Sequence, residues 1–256
     1  MPEFLAAVCA SVRQDLENGY YNVERRVRRE RLSLRSHMSK RRPAIIAELK
    51  AKSPSRGHLR EAIQPALANE LVASGAAGLS VLTQRAHFDG SISLFQEVAE
   101  STRCPLLFKD FIVSERQIDA AFASGADIVL LISELFHLGL SDLPLEEMVD
   151  YSHGLGLETL VEFHSPSLMD SSVSSESDYI GVNNRNLKDL SLDTNHFFRI
   201  APNLPRDRLV VAESGYSECA DILRDFRAGA DAFLIGSSLM ESPHPGRKLK
   251  ELASCG

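Results

Sequence analysis

Eight short apolar runs recur along the chain, separated by helix-length segments of mixed polarity. They are residues 44–50 (AIIAELK), 78–83 (GLSVLT), 105–110 (PLLFKD), 127–132 (DIVLLI), 158–163 (ETLVEF), 178–184 (DYIGVNN), 208–214 (RLVVAES) and 231–237 (DAFLIGS). Short runs that are apolar throughout, rather than alternating, predict parallel strands buried on both faces. Between them, residues 65–74, 92–102, 114–124, 144–154, 217–228 and 245–253 show helix-start signals or helical periodicity, and Ser114 with Gln117 has the spacing of a capping box. Eight strand–helix cycles predict a single (β/α)8 TIM barrel, which takes about 250 residues, and the 256 residues here leave room for one. A doubly wound nucleotide-binding sheet also alternates strand and helix, but neither G-x-G-x-x-G nor G-x-x-x-x-G-K-[ST] occurs.

Ahead of the first run, Phe4, Leu5, Val8 and Val12 fall at helical spacing, as do Val23, Val27, Leu32 and Leu34 less regularly. Two helices are therefore expected, with residues 1–42 as an N-terminal helical extension of one domain spanning 1–256 and Pro43 at the boundary. The stretch 171–177 (SSVSSES) reads as a linker on the amino-terminal face of the barrel.

Charge divides the chain unevenly. Residues 1–42 carry ten Lys/Arg against five Asp/Glu, whereas the remainder carries 18 against 30, for a net charge of −7. The basic run 23–42 could attract nucleic acid, but it lacks interleaved aromatics for base stacking. It is read instead as a solvated face offsetting the acidic body, with no nucleic-acid partner expected. The four cysteines are far apart and form no C-x-x-C pair, so neither a disulfide framework nor a zinc site is suggested, and a reducing cytoplasm is the expected compartment. No export signal or membrane span is read, no metal spacing occurs among the eight histidines, and a monomer is expected.

In barrels of this kind the chemistry sits at the carboxyl ends of the strands. Glu48 and Lys50 are two residues apart and share one face of the first strand; the third strand ends in Lys109, and the fifth supplies Glu162. Burial and mutual charge can tune four such groups for proton transfer, the bland alternative being a structural ion-pair network. The last two strands end in AESG (212–215) and LIGSSLM (234–240), where glycine, serine and a helix start suit a phosphate. The sixth ends in GVNNRN, adding Asn183, Asn184 and Arg185. His164 follows the fifth strand as an acid–base candidate, with an ordinary loop histidine the simpler reading.

At these residues the chain resembles the indole-3-glycerol-phosphate synthase family. The matching segments are AELKAKSPSRG (47–57), SVLT with FDGS, FKDFI, GADIVLLI, LGLETLVE, IGVNNRNL, AESG and LIGSSLM, in order along almost the whole chain. The resemblance implies a cofactor-free conversion of 1-(2-carboxyphenylamino)-1-deoxyribulose 5-phosphate to indole-3-glycerol phosphate, carbon dioxide and water. It gives Lys109 the acid role in ring closure and leaves dehydration among Glu162, Lys50 and Glu48, with Asn183 and Glu213 counted in the catalytic group. Ser53, Ser214, Gly215, Gly236 and Ser237 would hold the phosphate. Asn183, Arg185 and Glu213 would line the anthranilate side, and Leu82, Phe88, Phe111 and Leu131 would wall the ring. The segment before the first strand would cover part of the mouth, and association with other tryptophan-pathway enzymes is left open. Gln84 and the EFHSPS turn depart from the family pattern. A phosphoribosylanthranilate isomerase-like barrel, which would need a strand-end Cys–Asp pair, and a non-catalytic phosphate-binding barrel are the alternatives.

Overall fold

A computed structural model describes residues 3–40 and 42–255; Arg41, within the basic run, lies outside the described residues. The eight apolar runs form eight parallel strands: β1 (Ala44–Leu49), β2 (Gly78–Leu82), β3 (Leu106–Lys109), β4 (Ile128–Ile132), β5 (Glu158–Phe163), β6 (Tyr179–Asn183), β7 (Leu209–Glu213) and β8 (Ala232–Ile235). Each pairs with its sequence neighbours and β1 pairs with β8, which closes the barrel. The fold is thus the (β/α)8 barrel that the periodicity predicts, with both faces of the strands buried.

Register decides which side chains share the interior. Glu48 lies beside Ser80, Leu82 beside Lys109, Ile132 beside Glu162, Glu162 beside Gly181 and Asn183 beside Glu213. Glu213 in turn neighbours Leu234, which neighbours Ile46, two residues before Glu48. Partners in register face the same way and alternation preserves the face at every second residue, so these polar positions all point inward. Leu131, one residue from Ile132, is on the outer face of β4, under the helices. The expectation that it walls the substrate fails on that alternation; Leu130 and Ile132 line the cavity at the strand ends instead.

The amino-terminal floor follows a pattern of its own. Asp127, Asp178 and Asp231 immediately precede β4, β6 and β8, and their carboxylates accept the backbone N–H of Leu106, Thr159 and Val210 at 2.8–2.9 Å. Each satisfies a strand-start donor that the ladder leaves open.

The extension begins with α1 (Glu3–Glu17), whose apolar face of Leu5, Val8, Val12 and Leu16 is buried. The expected second helix does not form across Val23–Leu32; only α2 (Leu34–Met38) is helical. Tertiary partners take the backbone donors instead: Val27 N–H bonds the Ala123 carbonyl, Leu32 N–H the Asp127 carboxylate, Leu34 N–H that of Glu158 and Arg35 N–H the Tyr179 hydroxyl. A short segment crowded with arginines gains more from this acidic floor than from an isolated helix. Arg29 is fixed there by Asp127 (2.7 Å) and by the carbonyls of Gly125 and Cys104.

Three further expectations change. The serine-rich stretch is partly helical, in Met169–Ser174, with Ser172 buried against Ser133 (2.7 Å) and bonded back to the Leu168 carbonyl. Ser114 makes no side-chain cap; Gln117 accepts from Val113 N–H and donates to the Phe111 carbonyl, pinning the loop after β3 instead. Cys219 and Cys255, 36 residues apart, form a disulfide between the start of the helix Cys219–Ala228 and the segment after the helix Pro245–Ala253. Sequence spacing hides this pair because helix packing in the outer ring brings it together. No described helix is long and apolar enough to cross a membrane.

Candidate active site

A cavity of about 280 Å³ opens at the carboxyl ends of the strands. The described residues lining it include Glu48, Lys50, Lys109, Glu162, Asn183 and Glu213, all expected there from sequence. Lys109 Nζ donates to Glu162 Oε2 (2.9 Å) and Glu213 Oε2 (2.7 Å), and Asn183 Nδ2 donates to Glu162 Oε1 (2.8 Å). Lys50 pairs with Glu48 at 2.5 Å.

Two inward-facing glycines make room for this cluster. A Cβ on Gly181 would lie 2.6 Å from Glu213 Oε1, and one on Gly236 would lie 2.2 Å from Glu48 Oε2. The glycines of GVNN and LIGS therefore serve the carboxylates of neighbouring strands.

Burial raises the Glu213 carboxyl, and the nearby Glu162 charge adds to it; Lys109 offsets only part, leaving Glu213 at about 8. Burial acts the same way on Glu162, but Lys109 and the Asn183 amide outweigh it and hold that carboxyl below its ordinary value. Desolvation alone would lower Lys109, yet Glu162, Glu213 and Glu48 hold its ammonium well above the usual lysine range. The surroundings thus drive the two carboxyls apart, favouring the ionised form of Glu162 and the protonated form of Glu213 on either side of the Lys109 ammonium. That supplies both a base and proton donors within a few ångströms.

Ser53, Ser214, Gly215, Gly236 and Ser237 line one end of the cavity. Ser214 and Gly215 both have positive φ, 67° and 90°, a conformation a serine adopts only where its surroundings impose it. Ser53 lies in a hairpin that pairs Lys52 with His58 and Ser53 with Gly57. Arg56 at its tip bonds both oxygens of Glu241 at 2.8 Å, and Arg60 bonds the carbonyls of Met240 and Ser242, tying the hairpin to the segment after β8. Sequence reasoning passed over Arg56 and Glu241; the basic residue in the SPSRG turn was the available signal.

Leu82, Phe88 and Phe111 wall the other end, with Phe88 and Phe111 ring centroids 5.8 Å apart. Phe4 of α1 packs edge-on against Phe111 at 6.3 Å and reaches the cavity, so the extension does border the mouth. Arg185 also lines the cavity, its guanidinium held by the Leu190 carbonyl. His164 lies outside the lining; its Nδ1 is 2.8 Å from the Asn183 carbonyl and its ring stacks on His196, while Asn184 holds Ser214 from behind. Gln84 is buried and caps the helix Arg85–Phe88 through His87 N–H. Among the described residues, no group of three or more His, Cys, Asp or Glu side chains is placed to hold a metal ion.

An acid–base centre inside the mouth of a closed parallel barrel places the chain among the (β/α)8-barrel enzymes. Thiamine phosphate pyrophosphorylase from Pyrococcus furiosus shares the fold over 87% of this chain and 97% of its own, at a TM-score of 0.63 and 17% identity. 3-Hexulose-6-phosphate synthase from Salmonella typhimurium does so over 83% and 97%, at 0.62 and 12%. Sequence is more specific: residues 5–252 match the profile of indole-3-glycerol phosphate synthase, and the chain belongs to that family. It is 41% identical to indole-3-glycerol phosphate synthase of Saccharopolyspora erythraea over 83% of this chain and 78% of the relative. Against the enzyme of Aquifex aeolicus the identity is 42%, over 81% and 80%. The chain is accordingly a carboxy-lyase of tryptophan biosynthesis.

Proposed function

We propose that the mouth binds 1-(2-carboxyphenylamino)-1-deoxyribulose 5-phosphate and converts it to indole-3-glycerol phosphate with Lys109 as the central proton donor. The single observation that carries the assignment is the clamp of Lys109 between Glu162 and Glu213. Its ammonium faces the C2′ carbonyl and protonates that oxygen as the ring carbon bearing the carboxylate attacks C2′. The carboxylate then leaves as carbon dioxide, and its bonding electrons restore the ring. In the last step the C2′ hydroxyl takes a proton and departs as water while a base removes a proton from C1′. Glu162, held ionised by Lys109 and Asn183, suits the base; Glu213, protonated below about pH 8, can return the proton that Lys109 gives up. Lys50, paired with Glu48, is the second cation within reach of the departing hydroxyl.

In this reading Ser53, Ser214, Gly215, Gly236 and Ser237 take the phosphate, Arg185 takes the carboxylate, and Leu82, Phe88, Phe111, Leu130 and Ile132 enclose the ring. Residues 1–256 act as one barrel domain with 1–42 as its extension, in the cytoplasm and as a monomer free to associate with other tryptophan-pathway enzymes. Exposed apolar surface supports the monomer, since Leu192 and Phe198 are the only large hydrophobic side chains left exposed among the described residues. The test is a fluorescence assay of indole formation from the substrate, with no metal or nucleotide added. A folded protein that binds the substrate without turnover would refute the acid–base assignment.

A further inference from the structure

Asp110 follows Lys109 and is buried, 1% exposed, yet the three groups that bond it are all neutral. Its Oδ1 accepts from Phe111 N–H (2.8 Å), while its Oδ2 accepts from the hydroxyls of Thr83 (2.6 Å) and Tyr21 (3.0 Å). Burial pushes this carboxyl up to about 6, against the pull of those three bonds. A carboxylate buried without a cation is an expensive way to fill a strand end. It therefore needs a role that apolar packing could not perform.

The bonds around it converge on the backbone that carries Lys109. Thr83 N–H donates to the Lys109 carbonyl at 3.1 Å, and the Thr83 hydroxyl lies 3.3 Å from the same oxygen. Tyr20, packed edge-on against Tyr21 at 4.9 Å, donates its hydroxyl to the Thr83 carbonyl (2.9 Å) and accepts from Ile92 N–H. Two adjacent tyrosines of the extension thus grip the ends of β2 and β3 at two points, one on each side of Thr83.

We infer that Tyr21 is a positioning residue for the reaction, acting through Asp110 and Thr83 to aim the Lys109 ammonium at the reacting carbonyl. This makes the extension part of the catalytic geometry as well as a border of the mouth. The inference rests on Lys109 as the acid. A fraction of an ångström at Lys109 lowers the rate of proton transfer without loosening the grip on phosphate or ring.

The test compares steady-state kinetics of Tyr21→Phe, Asp110→Asn and the double variant, all as full-length protein. Tyr21→Phe should lower kcat by about tenfold, the scale of one hydrogen bond to a charged group, with KM within about twofold. The double variant should be no slower than Asp110→Asn, because both changes break the same link. Thr83→Val should reproduce the loss and Thr83→Ser should restore most of it, so the inference stays testable if Asp110→Asn fails to fold. Arg29→Gln, which frees the strap at the floor without touching this link, should lower the melting temperature and leave kcat unchanged at 25 °C. Normal kcat in Tyr21→Phe, additive losses in the double variant, or an equal loss in Arg29→Gln would overturn it. If Lys109→Ala itself stays active, the acid assignment fails; if Lys109→Ala is inactive and Tyr21→Phe is normal, only the positioning role falls.

Discussion

Replacing Glu213 by glutamine removes a proton without removing the shape. In the folded protein this carboxyl sits at about 8, against an ordinary value of 4.5. The folded state therefore binds the proton more tightly than the unfolded chain. Stability from this group is complete below pH 4.5 and is lost as pH rises through 8, a loss of the order of 3 kcal/mol by pH 7 at about 1.4 kcal/mol per pH unit. Glutamine has no such dependence. Its amide keeps the shape of the neutral, protonated carboxyl, so Glu213→Gln should match the parent near pH 5 and become the more stable of the two as pH rises toward 8. Urea denaturation at intervals between pH 5 and 9 measures it. The same variant should lose about 10² to 10⁴ in kcat, the usual scale for a proton-transfer group, and its residual activity should lack the alkaline limb expected of the parent near pH 8. A stability gap that stays flat with pH, together with an alkaline limb that survives in the variant, would show that the titrating group is not Glu213.

Other changes test separate parts of the site. Lys109→Ala should cut kcat by about 10² to 10⁴ with KM little changed, and near-normal turnover would take Lys109 out of the acid role. Gly181→Ala places a methyl 2.6 Å from Glu213 Oε1; calorimetry should show a loss of about 1 to 3 kcal/mol and kinetics a fall in kcat, whereas unchanged values would mean the carboxyl has slack. Ser237→Asp should raise KM about tenfold or more by repelling the phosphate, and an unchanged KM would move the phosphate elsewhere. Cys255→Ser should abolish the melting-temperature difference between oxidised and reduced samples, which for a closed loop of 36 residues corresponds to about 3 to 4 kcal/mol; equal melting temperatures in the parent would show the bond adds nothing.

The strands were legible because each is apolar on both faces, and that pattern survives any detail of the loops. Glu48, Lys109 and Glu162 were legible for a related reason: a charged residue at the inner face of such a strand has little else to do. Leu131 was misjudged because an apolar residue in an all-apolar strand carries no mark of its face; only register with Glu162 separates it from Ile132. The extension was hardest to read. Its backbone bonds go to carboxylates and carbonyls more than 90 residues away, such as those between Leu32 and Asp127, and no local period reports them. Tyr21 and Asp110 stayed hidden for the same reason, since they stand 89 positions apart and meet only in the folded chain.

Asp127, Asp178 and Asp231 each bond the strand just before their own, so the ties join β3 to β4, β5 to β6 and β7 to β8, and none crosses from one pair to the next. Three of the four strand pairs are consequently two-strand cassettes sealed at the lower rim by their own aspartate, while β1 and β2, where Ala77 precedes β2, have no such seal. A recombination joint placed between β4 and β5, or between β6 and β7, keeps every one of these seals within a single parent. A joint between β3 and β4 would make two ancestries share one seal. The barrel has a grain in these aspartate seals, and joints cut along it leave all three of them intact.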